Sequence, residues 1–129
     1  MNVLDENILE SQRQLLRSWR IPVRQIGVDI GKKGMSDEQV LPFLLTLTHP
    51  TLFTRDLGFA DQEFCHYGRC IVVLAVGQYE AAYFARRFLR HPDFNTHAKR
   101  MGAVLRVTGV ALTVFRVNAI EATLVAWRD

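Results

Sequence analysis

The stretch CIVVLAV at residues 70–76 is an unbroken apolar run bounded by Gly68 and Gly77. A continuous apolar run, as opposed to an alternating one, is typical of a strand that is buried on both faces. Such strands lie inside parallel sheets that carry helices on both sides. We therefore predict that residues 70–76 form the central strand of an α/β domain.

Helical patterns lie on both sides of this run along the chain. Helices are predicted at 7–20, 36–47 and 78–91. The first two open on capping boxes, Asn7 with Glu10 and Ser36 with Gln39. Pro42 falls inside the second helix, where it removes one backbone hydrogen bond, so we expect a kink or a late start there.

Strand patterns alternate with these helices over the first 90 residues. Strands are predicted at 2–5, 21–28, 51–54, 70–76, 104–107, 110–117 and 122–127. The alternation predicts a mostly parallel sheet with right-handed crossovers in a core over residues 1–94. Residues 95–129 are expected to form a β extension, with a hairpin turning at Thr108 and Gly109. No linker divides the chain, so 1–129 is interpreted as one domain.

Composition narrows the class of protein. The chain has 129 residues, 49% hydrophobic and 22% charged, and its longest apolar run is far too short to span a bilayer. Acids at 5, 6 and 10 interrupt any signal-peptide core. Two cysteines, Cys65 and Cys70, make a disulfide framework unexpected and indicate a reducing compartment. We therefore expect a cytoplasmic protein that does not contact a membrane.

The net charge of +3 conceals an asymmetry along the chain. Residues 1–64 carry 7 Lys and Arg against 9 Asp and Glu, net −2, whereas residues 65–129 carry 9 against 4, net +5. Acids gathered apart from bases are compatible with a cation site beside an anionic substrate.

Acidic residues follow predicted strands or open a predicted helix, where active sites of open parallel sheets form. They are Asp5, Glu6, Asp37, Glu38, Asp56 and Asp61. Converging carboxylates raise one another's pKa unless a cation neutralises them. Oxygen ligands of this kind suit Mg²⁺ or Mn²⁺, which can activate a water against a phosphodiester.

Each acid also has an explanation that needs no metal. Asp37 and Glu38 lie in the first turn of a helix, where the macrodipole favours acids by roughly 0.3–1 kcal/mol each. Asp56 and Asp61 lie in a loop, where Asp is a common turn former. The spacing alone leaves both interpretations open.

Four segments together carry a resemblance to a known family. VLDEN at 3–7, GKKGMSDEQVL at 31–41, TLFTRDLGF at 51–59 and the strand IVVLAV at 71–76 occur in that order. Over about residues 1–90 the chain resembles the PIN-like nuclease domain, in the small variant found among bacterial toxins of the VapC type. The resemblance implies a Rossmann-like sheet, Mg²⁺ or Mn²⁺ held by acids, ribonuclease activity on RNA and a neighbouring antitoxin. A homodimer is common in such folds and is expected here.

The resemblance also implies roles for individual acids. Asp5 matches the acid after the first strand, Asp37 the acid of the S-D-E helix start and Asp56 the acid of the T-x-D turn. These three would bind one or two metal ions and serve catalysis, with Glu38 in support.

One position departs from the family pattern. Relatives often read T-x-D-x-D-F at the third acidic motif, and the second of those acids is Gly58 in this chain. Asp61, a few residues later, is the candidate replacement ligand. If Asp61 does not reach the site, three acids remain and catalysis is weakened or lost.

Basic residues supply candidate RNA contacts in two places. Candidates near the acids are Lys32, Lys33 and Arg55, and a helical stripe adds Arg86, Arg87 and Arg90 beside Tyr79 and Tyr83. The alternative for the stripe is a solvated helix face or a protein interface.

Two functions of different class therefore stand side by side. The first is a metal-dependent ribonuclease acting as the toxin of a toxin–antitoxin pair. The second is a PIN-like binding module that has lost catalysis and acts through protein or RNA contacts. Zinc is not expected at Cys65, His66 and Cys70, because no fourth ligand is in view and the spacing is uncommon.

Overall fold

The strand predicted from the apolar run, β4 (Cys70–Leu74), is buried at every residue and lies in the middle of a seven-stranded sheet. The computed structural model describes all residues from Met1 to Asp129. The other strands are β1 (Asn2–Leu4), β2 (Arg24–Gln25), β3 (Thr51–Thr54), β5 (Ala103–Val107), β6 (Ala111–Arg116) and β7 (Thr123–Ala126). The helices are α1 (Glu10–Ser18), α2 (Asp37–Leu44), α3 (Ala81–Leu89) and α4 (His97–Arg100).

The sheet is mostly parallel, as the alternation of strands and helices predicted. Its strand order is β2-β1-β3-β4-β5-β6-β7. All pairings from β2 through β5 are parallel, whereas β5 with β6 and β6 with β7 are antiparallel. The chain is therefore an α/β protein, and the carboxyl ends of its parallel strands meet at one edge.

The core is divided between the two faces of the sheet because successive strand residues point to opposite sides. One face packs against α1 and α3, around residues such as Phe53, Val72 and Phe88. The other packs against α2, around residues such as Leu52, Ile71 and Leu44. Cores on both faces explain why the strand at 70–76 has no polar alternation.

The first helix and the second strand differ from prediction. No capping box forms at Asn7, and α1 begins at Glu10 with Leu9 as its N-cap. The reason is that a residue distant in sequence stabilises a turn before the helix. The Gln25 side-chain amide donates to the carbonyls of Asp5 (3.1 Å) and Ile8 (2.7 Å). The segment before α1 is therefore fixed as a turn.

The strand predicted at 21–28 is only Arg24–Gln25. Gly27 adopts a φ of +84°, and the amides of Val28 and Asp29 fold back onto the carbonyl of Gln25. The chain thus turns away from the sheet immediately after the second strand.

The second predicted helix start is confirmed. The Ser36 amide donates to Gln39 Oε1 at 3.0 Å in a capping box, and α2 runs through Pro42 to Leu44. The position of the start matters because Asp37 is the first residue of this helix.

The region predicted as a β extension contains β5, which pairs parallel with β4. The parallel part of the sheet therefore runs to Val107. The strands β5 and β6 are antiparallel neighbours, joined by residues 108–110. None of the helices has both the length and the apolar character needed to cross a membrane.

Candidate active site

Asp5 stands at the end of β1, next to the end of β3. Leu4 is in register with Phe53, and the Asp5 amide donates to the carbonyl of Phe53 at 2.9 Å. Both carboxylate oxygens of Asp5 accept a hydrogen bond: Oδ1 from the Glu6 amide at 2.8 Å and Oδ2 from Thr54 Oγ1 at 2.6 Å. Two donors fix the orientation of this carboxylate, and each oxygen retains a further lone pair.

Thr54 joins Asp5 to Asp56, another of the predicted acids. Its hydroxyl donates to Asp5 and also accepts from the backbone amide of Asp56 at 3.0 Å. Thr54 is completely buried, so the hydroxyl is shielded from competing water. Thr54 was not predicted as a site residue, although it is the threonine of the T-x-D turn at 54–56.

Asp56 caps the short 3₁₀ turn at Leu57–Phe59. Its Oδ1 accepts from the Gly58 amide at 2.9 Å. The residue is half-buried. The carboxylate of Asp56 therefore holds this turn through one of its two oxygens.

Asp37 reaches the same edge from α2, on the other side of the sheet from α1. Glu6, the residue after Asp5, brings it there: Glu6 Oε1 accepts from the Gly34 amide at 2.8 Å. That bond links the end of β1 to the loop from which α2 starts. Glu6 thus serves as a tether between the two acidic segments.

Two of the predicted acids act electrostatically on the third, Asp37. The pKa of Asp37 is raised above its ordinary value, first because its carboxyl group loses part of its hydration, although the residue as a whole is exposed. Asp56 then adds a hydrogen bond and its charge, and the charge of Asp5 adds to both. Asp37 is therefore within electrostatic range of acids from two other segments of the chain.

Whether these acids suit a divalent cation can be judged from the donor set. No three His, Cys, Asp or Glu side chains stand ready-arranged as metal ligands. The oxygens of Asp5, Asp37 and Asp56 are nevertheless the donors that Mg²⁺ and Mn²⁺ prefer, and repulsion between carboxylates is what a cation relieves. The chemistry fits, and coordination by all three requires their side chains to close in.

Two predicted supporting acids differ in their placement. Asp61 Oδ1 accepts from the Glu63 amide at 3.0 Å and caps its own 3₁₀ turn at Gln62–Phe64. Asp61 is also not among the charges that raise the pKa of Asp37. Glu38 is exposed in the first turn of α2, beside Asp37 in sequence, with no hydrogen-bond partner. The structure therefore gives no support to Asp61 as the replacement for the acid missing at Gly58.

The basic residues predicted near the acids also differ from one another. Lys32 and Lys33 are exposed in the loop that leads into α2 and carry no ion pair. The Arg55 guanidinium donates twice to the carbonyl of Val76, at 2.9 and 3.1 Å, and so ties the end of β3 to the segment after β4. The two lysines are free to meet an anionic strand, whereas Arg55 is held in the fold.

The arginine stripe on α3 is mostly engaged within the chain. Arg86 lies over the ring of Trp19, 3.7 Å from its centre. Arg87 lies 4.2 Å from the ring centre of Trp127 and forms a two-pronged salt bridge with Asp129. These contacts hold both side chains against other parts of the same chain. Arg90 is exposed and unpaired, so it alone of the three remains a free cation.

Cys70 is the first residue of β4 and belongs to the core. It is fully buried, and that burial raises the pKa of its thiol to about 12. A neutral buried thiol of this kind serves as a packing group.

Comparison with protein-family models, with curated proteins and with solved structures gives no match to this chain. The fold itself defines the class of protein. It is an α/β domain with a mostly parallel sheet and a group of carboxylates near the carboxyl ends of its strands.

Proposed function

We propose that this protein is a metal-dependent ribonuclease of the PIN-like type, which hydrolyses RNA phosphodiester bonds. The observation that carries the proposal is the raised pKa of Asp37, whose carboxyl group loses hydration and is acted on by Asp56 and Asp5, acids of two other segments. Like charges that lie near one another destabilise a fold, and a perturbed pKa with specific charged neighbours is a feature of functional sites.

The chain's own residues have distinct tasks in this proposal. Asp5, Asp37 and Asp56 would hold Mg²⁺ or Mn²⁺, and the bound cation would supply the activation of a water for attack at phosphorus. Thr54 keeps the carboxylate of Asp5 and the backbone of Asp56 in a fixed relation through its two hydrogen bonds. Glu6 holds the α2 loop, and with it Asp37, against the strand ends.

RNA binding in the proposal uses the exposed cations nearest to these acids. Lys32 and Lys33 are exposed in the loop that Glu6 tethers, so both are available to a phosphate backbone near the acids. Each phosphate contact of this kind makes binding weaker as the salt concentration rises. A basic protein surface around a small acidic site also suits the charge asymmetry of the sequence.

A second candidate function, a binding module without catalysis, is favoured by one feature. Gly58 occupies the place of a fourth acid, and Asp61 caps its own turn instead of replacing it. Three carboxylates hold a divalent cation less tightly than four. A protein of this kind would bind RNA or a partner through the same surface and leave the RNA intact.

The experiment that tests the proposal compares the wild type with a double variant, Asp5→Asn with Asp56→Asn, on a mixed-sequence RNA oligonucleotide with Mn²⁺. We expect the double variant to fold, because Asn has nearly the shape of Asp and keeps one acceptor oxygen at each position, and to lose cleavage. Undiminished cleavage by the double variant overturns the proposal.

Asp61→Asn is the matched control, since Asn also caps a turn. It removes one nearby negative charge from a residue outside the cluster, and we expect it to retain activity.

The biological role follows from the same proposal. As the toxin of a toxin–antitoxin pair, the wild type inhibits growth when it is expressed alone, and the double variant does not. A small antitoxin gene beside the coding sequence supports this role, and growth inhibition by the double variant contradicts it.

A further inference from the structure

A cavity of about 360 Å³ lies at the amino ends of the parallel strands, the opposite edge of the sheet from the acids. Asn2 and Arg24, the first residues of β1 and β2, both line it. Its size lies within the range of small-ligand sites. The other charged or titratable side chains of its wall are those of Arg17, His97 and Arg100, and no acidic side chain lines it.

Arg100 is a buried arginine without an acidic partner. Only 5% of the residue is exposed, and it takes part in none of the ion pairs of the chain. Its guanidinium donates to three neutral acceptors, which are Thr51 Oγ1 at 3.1 Å, the Phe94 carbonyl at 2.9 Å and His97 Nδ1 at 3.1 Å. A guanidinium has five N–H donors, so two of them remain without an acceptor in the chain.

The pKa of Arg100 reflects the same lack of a counter-ion. Burial lowers this pKa, and the only influence that opposes the shift comes from the Cys70 thiol. That thiol has a pKa of about 12, so it is neutral at physiological pH. Buried charges in proteins are ordinarily paired, because they have lost part of their hydration. The guanidinium of Arg100 therefore lacks the anionic partner that its burial calls for.

His97 adds a neutral donor beside this guanidinium. Because a guanidinium can only donate, its bond to His97 makes Nδ1 the acceptor and puts the ring proton on Nε2, which has no partner in the chain. The pKa of His97 is lowered, first by partial loss of hydration and then by the positive charges of the Met1 amino group, Arg100 and His49. Positive charge therefore gathers at this end of the sheet.

The other two arginines of the wall differ in their pairing. Arg17 donates to Asp29 Oδ2 at 3.1 Å, so its charge is compensated within the chain. Arg24 is exposed and forms no ion pair. Arg24 and Arg100 are therefore the two arginines of the cavity without a carboxylate partner.

Acceptor groups of the wall are already engaged or enclosed. The Pro22 carbonyl accepts from the Asn2 side-chain amide at 3.1 Å, and the Val23 carbonyl accepts from Arg17 at 3.4 Å. The Met1 carbonyl accepts from the first backbone amide of β3 at 2.8 Å. Asn2 Oδ1 is shut off from solvent and so does not face a ligand in the cavity.

We propose that this cavity binds a phosphate group, either as inorganic phosphate or as the monoester of a small molecule. A doubly charged oxyanion supplies acceptors for the unused donors of Arg100 and His97, and its charge matches those of Arg24 and Arg100 together. A singly charged carboxylate would leave one of the two arginines uncompensated. The cavity shares no residue with the acidic cluster, so the inference does not depend on the proposed ribonuclease function.

The test is titration of the protein with inorganic phosphate, ribose 5-phosphate and acetate at constant ionic strength, followed by NMR at the His97 ring and the Arg24 amide. We expect phosphate to bind saturably at millimolar concentration and acetate to bind at least about tenfold more weakly, because it carries half the charge. Bound phosphate should also raise the pKa of His97, since a nearby negative charge favours the imidazolium form.

The titration also distinguishes the two sources of the phosphate group. Tighter binding of ribose 5-phosphate than of inorganic phosphate supports a monoester as the ligand, and equal or weaker binding supports inorganic phosphate. Acetate binding equal to that of phosphate overturns the proposal. Shifts that grow linearly with phosphate and do not saturate also overturn it, because they indicate a general salt effect.

Variants identify the groups responsible. Arg24→Gln removes a charge that makes no ion pair within the chain, and we expect phosphate affinity to fall about fivefold. Arg100→Gln should lower it by at least about tenfold, and urea denaturation checks that this variant folds, since Arg100 also supports the surrounding structure.

Arg106→Gln is the matched control for Arg24→Gln, because Arg106 is an exposed arginine of β5 that does not line the cavity. It should bind phosphate as the wild type does. Unchanged phosphate affinity in Arg24→Gln, or an equal loss in Arg24→Gln and Arg106→Gln, contradicts a phosphate site in this cavity even if Arg100→Gln does not fold.

Discussion

Two charged regions of this protein differ in whether their charges are compensated by other residues of the chain. On α3, Arg86 and Arg87 are stacked on tryptophans, and Arg87 also pairs with an aspartate. At the acidic end of the sheet, the pKa of Asp37 is raised, first by loss of hydration and then by the nearby carboxylates of Asp56 and Asp5.

The contrast separates structural charges from functional ones. A charge that finds an aromatic ring or a counter-ion within the chain contributes to the fold and needs no ligand. Like charges held together by the fold's own hydrogen bonds work against stability and are maintained where a ligand relieves them. Changes at the acidic end should therefore alter activity, whereas changes on the α3 face should alter stability.

The largest expected effect is on cleavage by Asp37→Asn. Loss of one of three ligand carboxylates should reduce RNA cleavage by more than about a hundredfold in single-turnover assays with Mn²⁺. Arg87→Gln is the matched change on the other region and should alter cleavage by no more than about twofold. A larger loss for Arg87→Gln than for Asp37→Asn would reverse the distinction drawn between the two regions.

Thr54→Val should have the next largest effect. The hydroxyl that orients Asp5 and accepts from the Asp56 amide is replaced by a methyl group of the same size. We expect cleavage to fall about tenfold and the free energy of unfolding to fall by about 1–2 kcal/mol, measured by urea denaturation. Thr54→Ser keeps the hydroxyl and should retain most of the activity. Equal losses in both variants would mean that packing, and not the hydrogen bonds, is what matters at this position.

Gly58→Asp should strengthen metal binding at the acidic region. We expect this effect to be smaller than those of Asp37→Asn and Thr54→Val. A Cβ added at 58 lies 3.1 Å from Asp56 Oδ1, so once this close contact relaxes a carboxylate at 58 would stand beside that of Asp56. We expect Mn²⁺ affinity to rise several-fold, measured by calorimetry, and stability without metal to fall. Unchanged Mn²⁺ affinity in a folded Gly58→Asp variant would show that residue 58 does not face the cation.

The smallest expected effect is on the pH dependence of stability. The pKa of Asp37 in the fold is above its ordinary value of 3.8, so the folded protein holds this proton more tightly than the unfolded chain. The associated stabilisation is complete below pH 3.8 and is lost as the pH rises through the folded pKa. Asp37→Asn should therefore match the wild type at acidic pH and exceed it by no more than about 1 kcal/mol at neutral pH. Salt should narrow the gap, since Asp37 is exposed. A variant less stable than the wild type at neutral pH would contradict the sign.

Local sequence signals predicted much of the fold. The apolar run identified the central strand, and the Ser36 and Gln39 pair identified the start of α2 that carries Asp37. Each acid of the cluster follows a strand or opens a helix. The carboxyl ends of parallel strands lie close together, which brings these acids to one edge of the sheet.

Contacts between distant residues account for what could not be predicted. The first helix starts late because Gln25, far along the chain, bonds the turn before it. The tether from Glu6 to Gly34 and the tryptophan partners of Arg86 and Arg87 likewise join separate segments. No local pattern encodes such pairings.

A calorimetric titration of the wild type and of Asp37→Asn with Mn²⁺ is the most informative single measurement. If the three carboxylates form a cation site, the wild type binds Mn²⁺ at millimolar concentration or below, and Asp37→Asn binds at least about tenfold more weakly. Equal Mn²⁺ binding by the two folded proteins, or none by the wild type at millimolar concentration, would contradict a metal site at this end of the sheet.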